Sequence, residues 1–567
     1  MSETPNTSQT PPAHRIQVVV GVLLDGRTQE HWVLEALQQA LALPGVRLGT
    51  VALVSERPSS GIAMTVHRLV DAIDQRLRCR GARLFNSVDV IAALGKPVQM
   101  SIPTVSRGAR WIPDEEGTAL LSSAGADVWL CLTAALPAAT FPRVCSMGVW
   151  GMEIGNTPAA DVWAGAMEVA MRNNITVARV VDYTRKSQVL YRVYGATIKN
   201  SARRNRLVTL SKAVSFFRRL LRDRTQLQEG HVPHGKEPSP GPELLPEVAA
   251  SGAATVSAAF RLAWRLTAEV ACNRWQAAAG RAQWQMGYFF AGENVDVAHR
   301  PDRLHRLVPP RDRDWADPFV IQRDGRRFIF FEEMPYQTGK GHISAIEILA
   351  NGEPGAARMV LERPYHLSYP FVFEWNGELY MLPETAQNRT IELYRCEEFP
   401  SRWTLQQVLL ENISAFDATL WRQDDRWWLF VNVAEAGASP SEELHLYWSE
   451  SPLGPWVAHQ ANPVISDARY ARSAGPLFVR EGVLYRPSQD CSSAYGTAVS
   501  VNRVEVLDLR NYRETPVGRI HSGWYPDMLG VHTFSSSGAV RVIDYKVRRS
   551  RWSAVSAAEP AVCPQTT

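Results

Sequence analysis

The chain has 567 residues, more than one hydrophobic core sustains, so several domains are expected. Hydrophobic residues make up 45% and charged residues 21%, with 18 Trp, 16 Tyr and 18 Phe, which excludes wholesale disorder. Sixty-one basic against 57 acidic residues leave a net charge of +4, too even for a chain built throughout to coat nucleic acid.

Residues 1–14 are polar and rich in Ser, Thr and Pro, with neither the charged start nor the apolar core of a signal peptide. The apolar run 15–25 predicts a buried parallel strand, 30–43 a helix stopped by Pro44-Gly45, and 46–54 a second strand, which together make one β-α-β unit. A further strand is expected at 126–132 and a helix from Pro158 to Met171, so 15–198 reads as a Rossmann-like α/β domain. From 199 to 228 the pattern predicts one basic helix. Leu207, Leu210, Val214, Phe217 and Leu221 share one face, and the Arg and Lys residues around them either form a solvated face or meet an anionic membrane or lipid-linked glycan. Residues 229–248 read as a Pro/Gly-rich linker, 249–300 as a helical connector and 550–567 as a tail. No stretch is long and apolar enough for a membrane span, and seven cysteines without a CxxC pair fit a reducing, cytoplasmic setting, peripheral to the membrane at most.

The second half carries an internal repeat. Asp317-Pro-Phe-Val, Tyr369-Pro-Phe-Val, Asp417-Ala-Thr-Leu, Gly475-Pro-Leu-Phe and a weaker copy from Gly530 each lead into a turn and a second strand. The turns are Asp324-Gly325, Asn376-Gly377, Asp424-Asp425, Glu481-Gly482 and Ser537-Gly538; Asp-Gly and Asn-Gly supply the positive φ that tight hairpins demand. Hairpins recurring roughly every 50–60 residues leave room for two more strands each, the pattern of a five-bladed all-β propeller over 301–549.

Inner strands of a propeller converge on a channel, so residues at the start of each repeat can meet. Asp317 and Asp417 are the candidate base or electrostatic groups and Glu384 the candidate acid, because paired carboxylates in unequal environments do acid–base work on a sugar. His366, Arg472, Arg486, Gln489, Asp490 and His532 are candidate substrate-binding groups, with Trp421, Trp315 and Tyr369 as stacking surfaces. Glu332, Glu333 and Asp544 also stand at second-strand ends and carry less weight, since those strands run back from the entrance. The 13 histidines form no HxH or HExxH cluster, so no metal is implied; P-loop and nucleophile-elbow motifs are absent as well.

Two resemblances follow. Val18-Val-Val-Gly-Val-Leu-Leu-Asp-Gly-Arg27, Gly148-Val-Trp-Gly-Met-Glu-Ile-Gly-Asn156 and Val162-Trp-Ala-Gly-Ala-Met-Glu168 resemble a formyltransferase-like domain, which implies 10-formyltetrahydrofolate chemistry. Where that family has Asn-x-His, this chain reads Trp150-Gly-Met-Glu-Ile, without the histidine, leaving Asn156 and Asp161 nearby. Trp315-Ala-Asp-Pro-Phe319, Lys340-Gly-His-Ile343, Pro383-Glu384, Ser451-Pro-Leu-Gly-Pro-Trp456 and Tyr485-Arg-Pro-Ser-Gln-Asp490 resemble the N-terminal domain of plant glucosamine inositolphosphorylceramide transferases, itself similar to five-bladed furanosidases and xylosidases. That resemblance implies Asp317 as general base, and a glycan, glycolipid or sugar-nucleotide partner in surface polysaccharide or glycolipid assembly. Glycosyl transfer or cleavage at the propeller, glycan recognition without catalysis, and acyl or formyl transfer to an amino sugar remain three readings of the sequence.

Overall fold

A computed structural model describes residues 17–54, 62–79, 81–107, 110–227, 257, 260–268, 280–292 and 297–549. Both expected tails and the 229–248 linker lie outside the described residues. The chain divides into two compact units, the first carrying most of the residues up to about 259, the second 168–176, 193–201 and 260 onward.

In the first unit the apolar run settles as strand Val18–Leu24, buried on both faces as a parallel strand must be. It lies between Val46–Val54 and Val128–Cys131, parallel to both, with Val98–Ile102 beyond one neighbour and Val149–Ile154 beyond the other. Ile175–Asp182 then adds antiparallel to Val149–Ile154. The helix expected at 158–171 shortens to Ala166–Met171, because Thr157–Pro158 folds back to pair with Val149–Ile154.

The single basic helix is a correction. It is two helices, Ala202–Ala213 and Phe216–Leu227. Part of its charge is buried, with Arg206 against Glu30 at 2.6 Å, Arg203 at 2.5 Å from Asp71, and Lys212 and Arg219 inside, while Arg204, Arg218 and Arg224 are exposed. Burying a guanidinium without a partner is costly, so the acids of the first unit fix where this basic stretch docks.

The second unit holds, among the described residues, five antiparallel sheets of four or five strands. Four are consecutive: 313–361, 368–411, 415–466 and 478–521. The fifth joins distant segments, Val540–Arg549 pairing in register with Arg281–Phe290, with His305–Leu307 outside and Phe534–Ser537 inside. The helical connector expected over 249–300 therefore holds only for the described stretch 260–268, and 281–290 is a strand.

Side chains and backbone link each sheet to the next. Phe319 meets Tyr369 at 4.8 Å between ring centroids, Tyr369 Oη lies 2.9 Å from Thr419 Oγ1, and Ser473 N donates to Asn432 at 3.0 Å. Phe534 N donates to Ala474 O at 2.8 Å, and Asp317 N donates to Asp544 at 2.9 Å, which returns to the first sheet.

The repeat has a backbone meaning. Asp317, Tyr369, Asp417 and Gly475 all have positive φ, at 50°, 46°, 52° and 129°. In the first three sheets this residue sits in a β-bulge on the innermost strand. Gly475 has the stricter need, since a Cβ there would lie 1.9 Å from Phe534 O. Gly475→Ala should therefore cost about 3 kcal/mol or more, or prevent folding. Gly325→Ala, in an open turn at φ 72°, should cost about 1 kcal/mol. Denaturant midpoints check both, and equal costs would contradict the assignment.

Candidate functional site

A cavity of about 210 Å³ opens where the inner strands meet, lined by Trp284, Asp314, Ala316, Asp317, Glu332, Met334, His366, Ser368, Glu384, Arg472, Tyr495 and His532. Its logic is positional. The bulge turns Asp317 inward, and across the hairpin Ala316 pairs with Glu332, Ser368 with Glu384 and Phe416 with Asn432. One register position in three sheets thus delivers two glutamates to the cavity. Strand alternation sends Glu333 to the opposite face, where Arg313 (2.7 Å), Ser344 and His342 engage it.

Two carboxyls in the lining are shifted in opposite directions. Burial would raise Asp317, but the charge of His532 and hydrogen bonds from His532 and Thr533 outweigh it and hold Asp317 below the usual carboxylate range. Thr533 Oγ1 donates to Asp317 Oδ1 at 2.7 Å. Burial pushes Glu384 well above its ordinary range, reinforced by the Asp417 carboxylate and only partly opposed by Arg472. Glu384 Oε2 is buried without a hydrogen bond and lies 3.7 Å from Arg472. A buried carboxyl beside another carboxylate is pushed towards its protonated form, while a carboxyl in a ring of donors is pulled towards the ionised one.

Arg472 is fully committed. Its Nε donates to Asp417 Oδ2 at 2.6 Å, its other contacts are Ser441 and Glu384, and it lies 5.0 Å from the centroid of the Tyr495 ring. Gln489 donates to the same Asp417 oxygen at 3.3 Å. His366 is fixed by Gly341 N, which donates to Nδ1 at 2.9 Å, while Nε2 lies 3.2 Å from Glu332. Trp284 and Tyr495 pack on His532 at 4.1 and 5.3 Å between centroids and give one wall an aromatic face.

Of the residues expected at the site, Asp317, Glu384, His366, Arg472 and His532 line one cavity. Asp417 and Gln489 are not in its lining; Asp417 is 1% exposed and its carboxylate is taken up by Arg472. Three expectations are corrected. Arg486 is buried in an ion pair with Glu514 at 2.6 Å, Asp490 faces Arg519 at 2.6 Å, and Trp421 packs on the core around Trp428 and Phe430. Trp315 and Tyr369 likewise belong to packed clusters. Trp284, Tyr495, Asp314 and Ser368 were missed. Ser368 and Asp314 flank repeat motifs and carried a signal; Trp284 did not, since only its pairing with a strand some 260 residues away places it.

Comparison with known proteins places this region. Residues 312–523 match the family model described as glucosamine inositolphosphorylceramide transferase 1, N-terminal, and the match lies wholly outside 15–198. Over 206 residues the chain is 39% identical to glucosamine inositolphosphorylceramide transferase 1 of Oryza sativa subsp. japonica, covering 36% of this chain and 28% of that protein. The protein of the same name from Arabidopsis thaliana is 36% identical over 208 residues, covering 36% and 27%. The chain spans under a third of the length of these curated relatives. Similar solved structures include Zg3597, a family 117 glycoside hydrolase from Zobellia galactanivorans, at 11% identity and TM-score 0.30 over 48% of this chain and 93% of that one. The catalytic domain of Coprinopsis cinerea GH62 α-L-arabinofuranosidase is 13% identical with TM-score 0.32, over 44% and 88%.

An acid whose pKa is raised on folding gives its full stability below its unfolded pKa, about 4.3, and loses it as pH rises towards the folded value. Glu384→Gln removes that loss. Thermal unfolding should show the variant gaining on wild type between pH 4.5 and pH 8; a constant difference would contradict the raised pKa.

Proposed function

We propose that the five sheets are the blades of a closed propeller that acts on glycans, transferring or cleaving one glycosyl unit at the central cavity. The observation that carries this reading is a pair of carboxyls, Glu384 pushed up by burial and the Asp417 carboxylate, and Asp317 held low by His532 and Thr533, in the lining of one small aromatic-walled cavity. Its volume is below the roughly 300–1,000 Å³ of drug-sized sites and suits a single sugar ring. Glu384 gives its proton to the glycosidic oxygen as the C–O bond breaks. Asp317 takes the proton of the water or acceptor hydroxyl that attacks the anomeric carbon, and the two carboxyls exchange states until solvent resets them.

The engagement of the cavity's one arginine supports a sugar in the cavity and not the phosphates of a sugar nucleotide. Arg472 is already held by Asp417 at 2.6 Å and lies 3.7 Å from Glu384. The similarity to a domain of proteins named glucosamine inositolphosphorylceramide transferase 1 supports a glycolipid setting. For the first unit, the order of its parallel strands supports a Rossmann-like reading. Its polar groups at the formyltransferase position are used internally. Glu153 is held by Arg179 at 2.6 Å and by Tyr183 at 3.0 Å, and Asn156 accepts from Arg179 at 3.0 Å.

The test is product mass spectrometry with aryl glycosides, oligosaccharide acceptors and pooled sugar nucleotides. Glu384→Gln and Asp317→Asn should each lower turnover about 10²–10⁴-fold while glycan affinity stays within a few-fold. Undiminished turnover in both variants would overturn the assignment. Glycan affinity without product in the wild type would make the propeller a recognition module.

A further inference from the structure

His532 lies between two carboxylates. Its ring is 2% exposed, with Nε2 3.1 Å from Asp317 Oδ1 and Nδ1 2.8 Å from Asp544 Oδ2. The second contact is ionic and not an aligned hydrogen bond. A neutral imidazole carries one N–H and leaves a bare nitrogen beside one of these anions, whereas an imidazolium carries a proton on both nitrogens. Burial favours the neutral ring, but Asp544 and Asp317 overcome it and push the pKa up to about 10. His366, in the same cavity, is the contrast. Its Nδ1 accepts a backbone N–H, so that nitrogen carries no proton.

Asp544 cannot swing away. Its Oδ1 accepts from His532 N at 3.0 Å and Thr533 N at 2.8 Å, and its Oδ2 accepts from Asp317 N at 2.9 Å. One carboxylate therefore fixes both the backbone of the candidate base and the histidine beside it. Thr533 Oγ1 and His532 Nε2 both approach Asp317 Oδ1, which leaves Oδ2 to take a proton.

We propose that His532 is a standing imidazolium and a positioning residue, anchored by Asp544, that holds Asp317 ionised and oriented for proton abstraction. The proposal rests on the reading of Asp317 as base. Arg472, Glu332 and His366 also act on this group, and Lys546 acts on Asp544, but none of them lies between the two aspartates.

The test combines two readouts on the full chain. Nitrogen-15 NMR of histidine-labelled protein, with the His532 signal identified by its loss in His532→Gln, should show an imidazolium at pH 8. The pH–rate profile of His532→Gln should have its acid limb moved up by about one to three pH units with KM little changed, since a carboxylate that loses a neighbouring cation is more easily protonated. Asp544→Asn, which keeps an acceptor for the backbone N–H groups, should move the limb the same way and serves if His532→Gln does not fold. A neutral His532 at pH 7, or a signal that becomes neutral on adding Ca²⁺ or Zn²⁺, would overturn the proposal. So would an unmoved acid limb. An imidazolium together with full activity of Asp317→Asn would instead overturn the base assignment beneath it.

Discussion

The cavity depends on one backbone conformation. Asp317, Tyr369 and Asp417 sit at positive φ in bulges of the innermost strands, a region that costs a non-glycine residue about 1–2 kcal/mol. Without the bulge a strand offers alternate residues to its two faces. With it, an extra residue is turned towards the centre, and the partner opposite, Glu332 in one sheet and Glu384 in the next, is brought to the same rim. The three positions have taken different roles. Asp317 meets the cavity, Asp417 holds Arg472, and Tyr369 ties neighbouring sheets through Thr419 and Gly475.

Closure of the last sheet completes the arrangement. Val540–Arg549 pairs along its whole length with Arg281–Phe290, so both ends of the region are held in one sheet. That sheet supplies Trp284 to the cavity wall and Asp544 to the backbone of Asp317. The ion pairs centred on Asp417, Asp317 and Asp544 cost desolvation that apolar packing would not. Their effect is on charge: they hold Asp317 below the usual carboxylate range while Glu384 is pushed above its own.

Much of this was legible in the sequence because it is local. Asp-Gly and Asn-Gly turns and the Pro-Phe-Val copies carry their own conformational requirements, and Asp324, Asn376 and Glu481 do take the positive φ such turns need. What escaped is what a distant partner decides. The strand holding Trp284 follows an alanine-rich stretch with helical spacing, and only pairing with Val540–Arg549 makes it a strand. Arg486 and Asp490 fail for another reason. They sit on a second strand where one step along the chain reverses the face, so Gln489 reaches Asp417 while Asp490 reaches Arg519 and Arg486 reaches Glu514. In the basic stretch 202–227 the burial of Arg203 and Arg206 depends on Asp71 and Glu30, far away in the chain.

Opposite shifts of Glu384 and Asp317 large enough for catalysis leave one carboxyl of the cavity protonated and the other ionised at neutral pH. Infrared difference spectroscopy of wild type against Glu384→Gln at pH 7 reads this directly through the C=O stretch of a protonated carboxyl. A protonated band lost in Glu384→Gln and retained in Asp317→Asn is the predicted result. Absence of any such band in the wild type, or its loss in Asp317→Asn instead, would contradict the account.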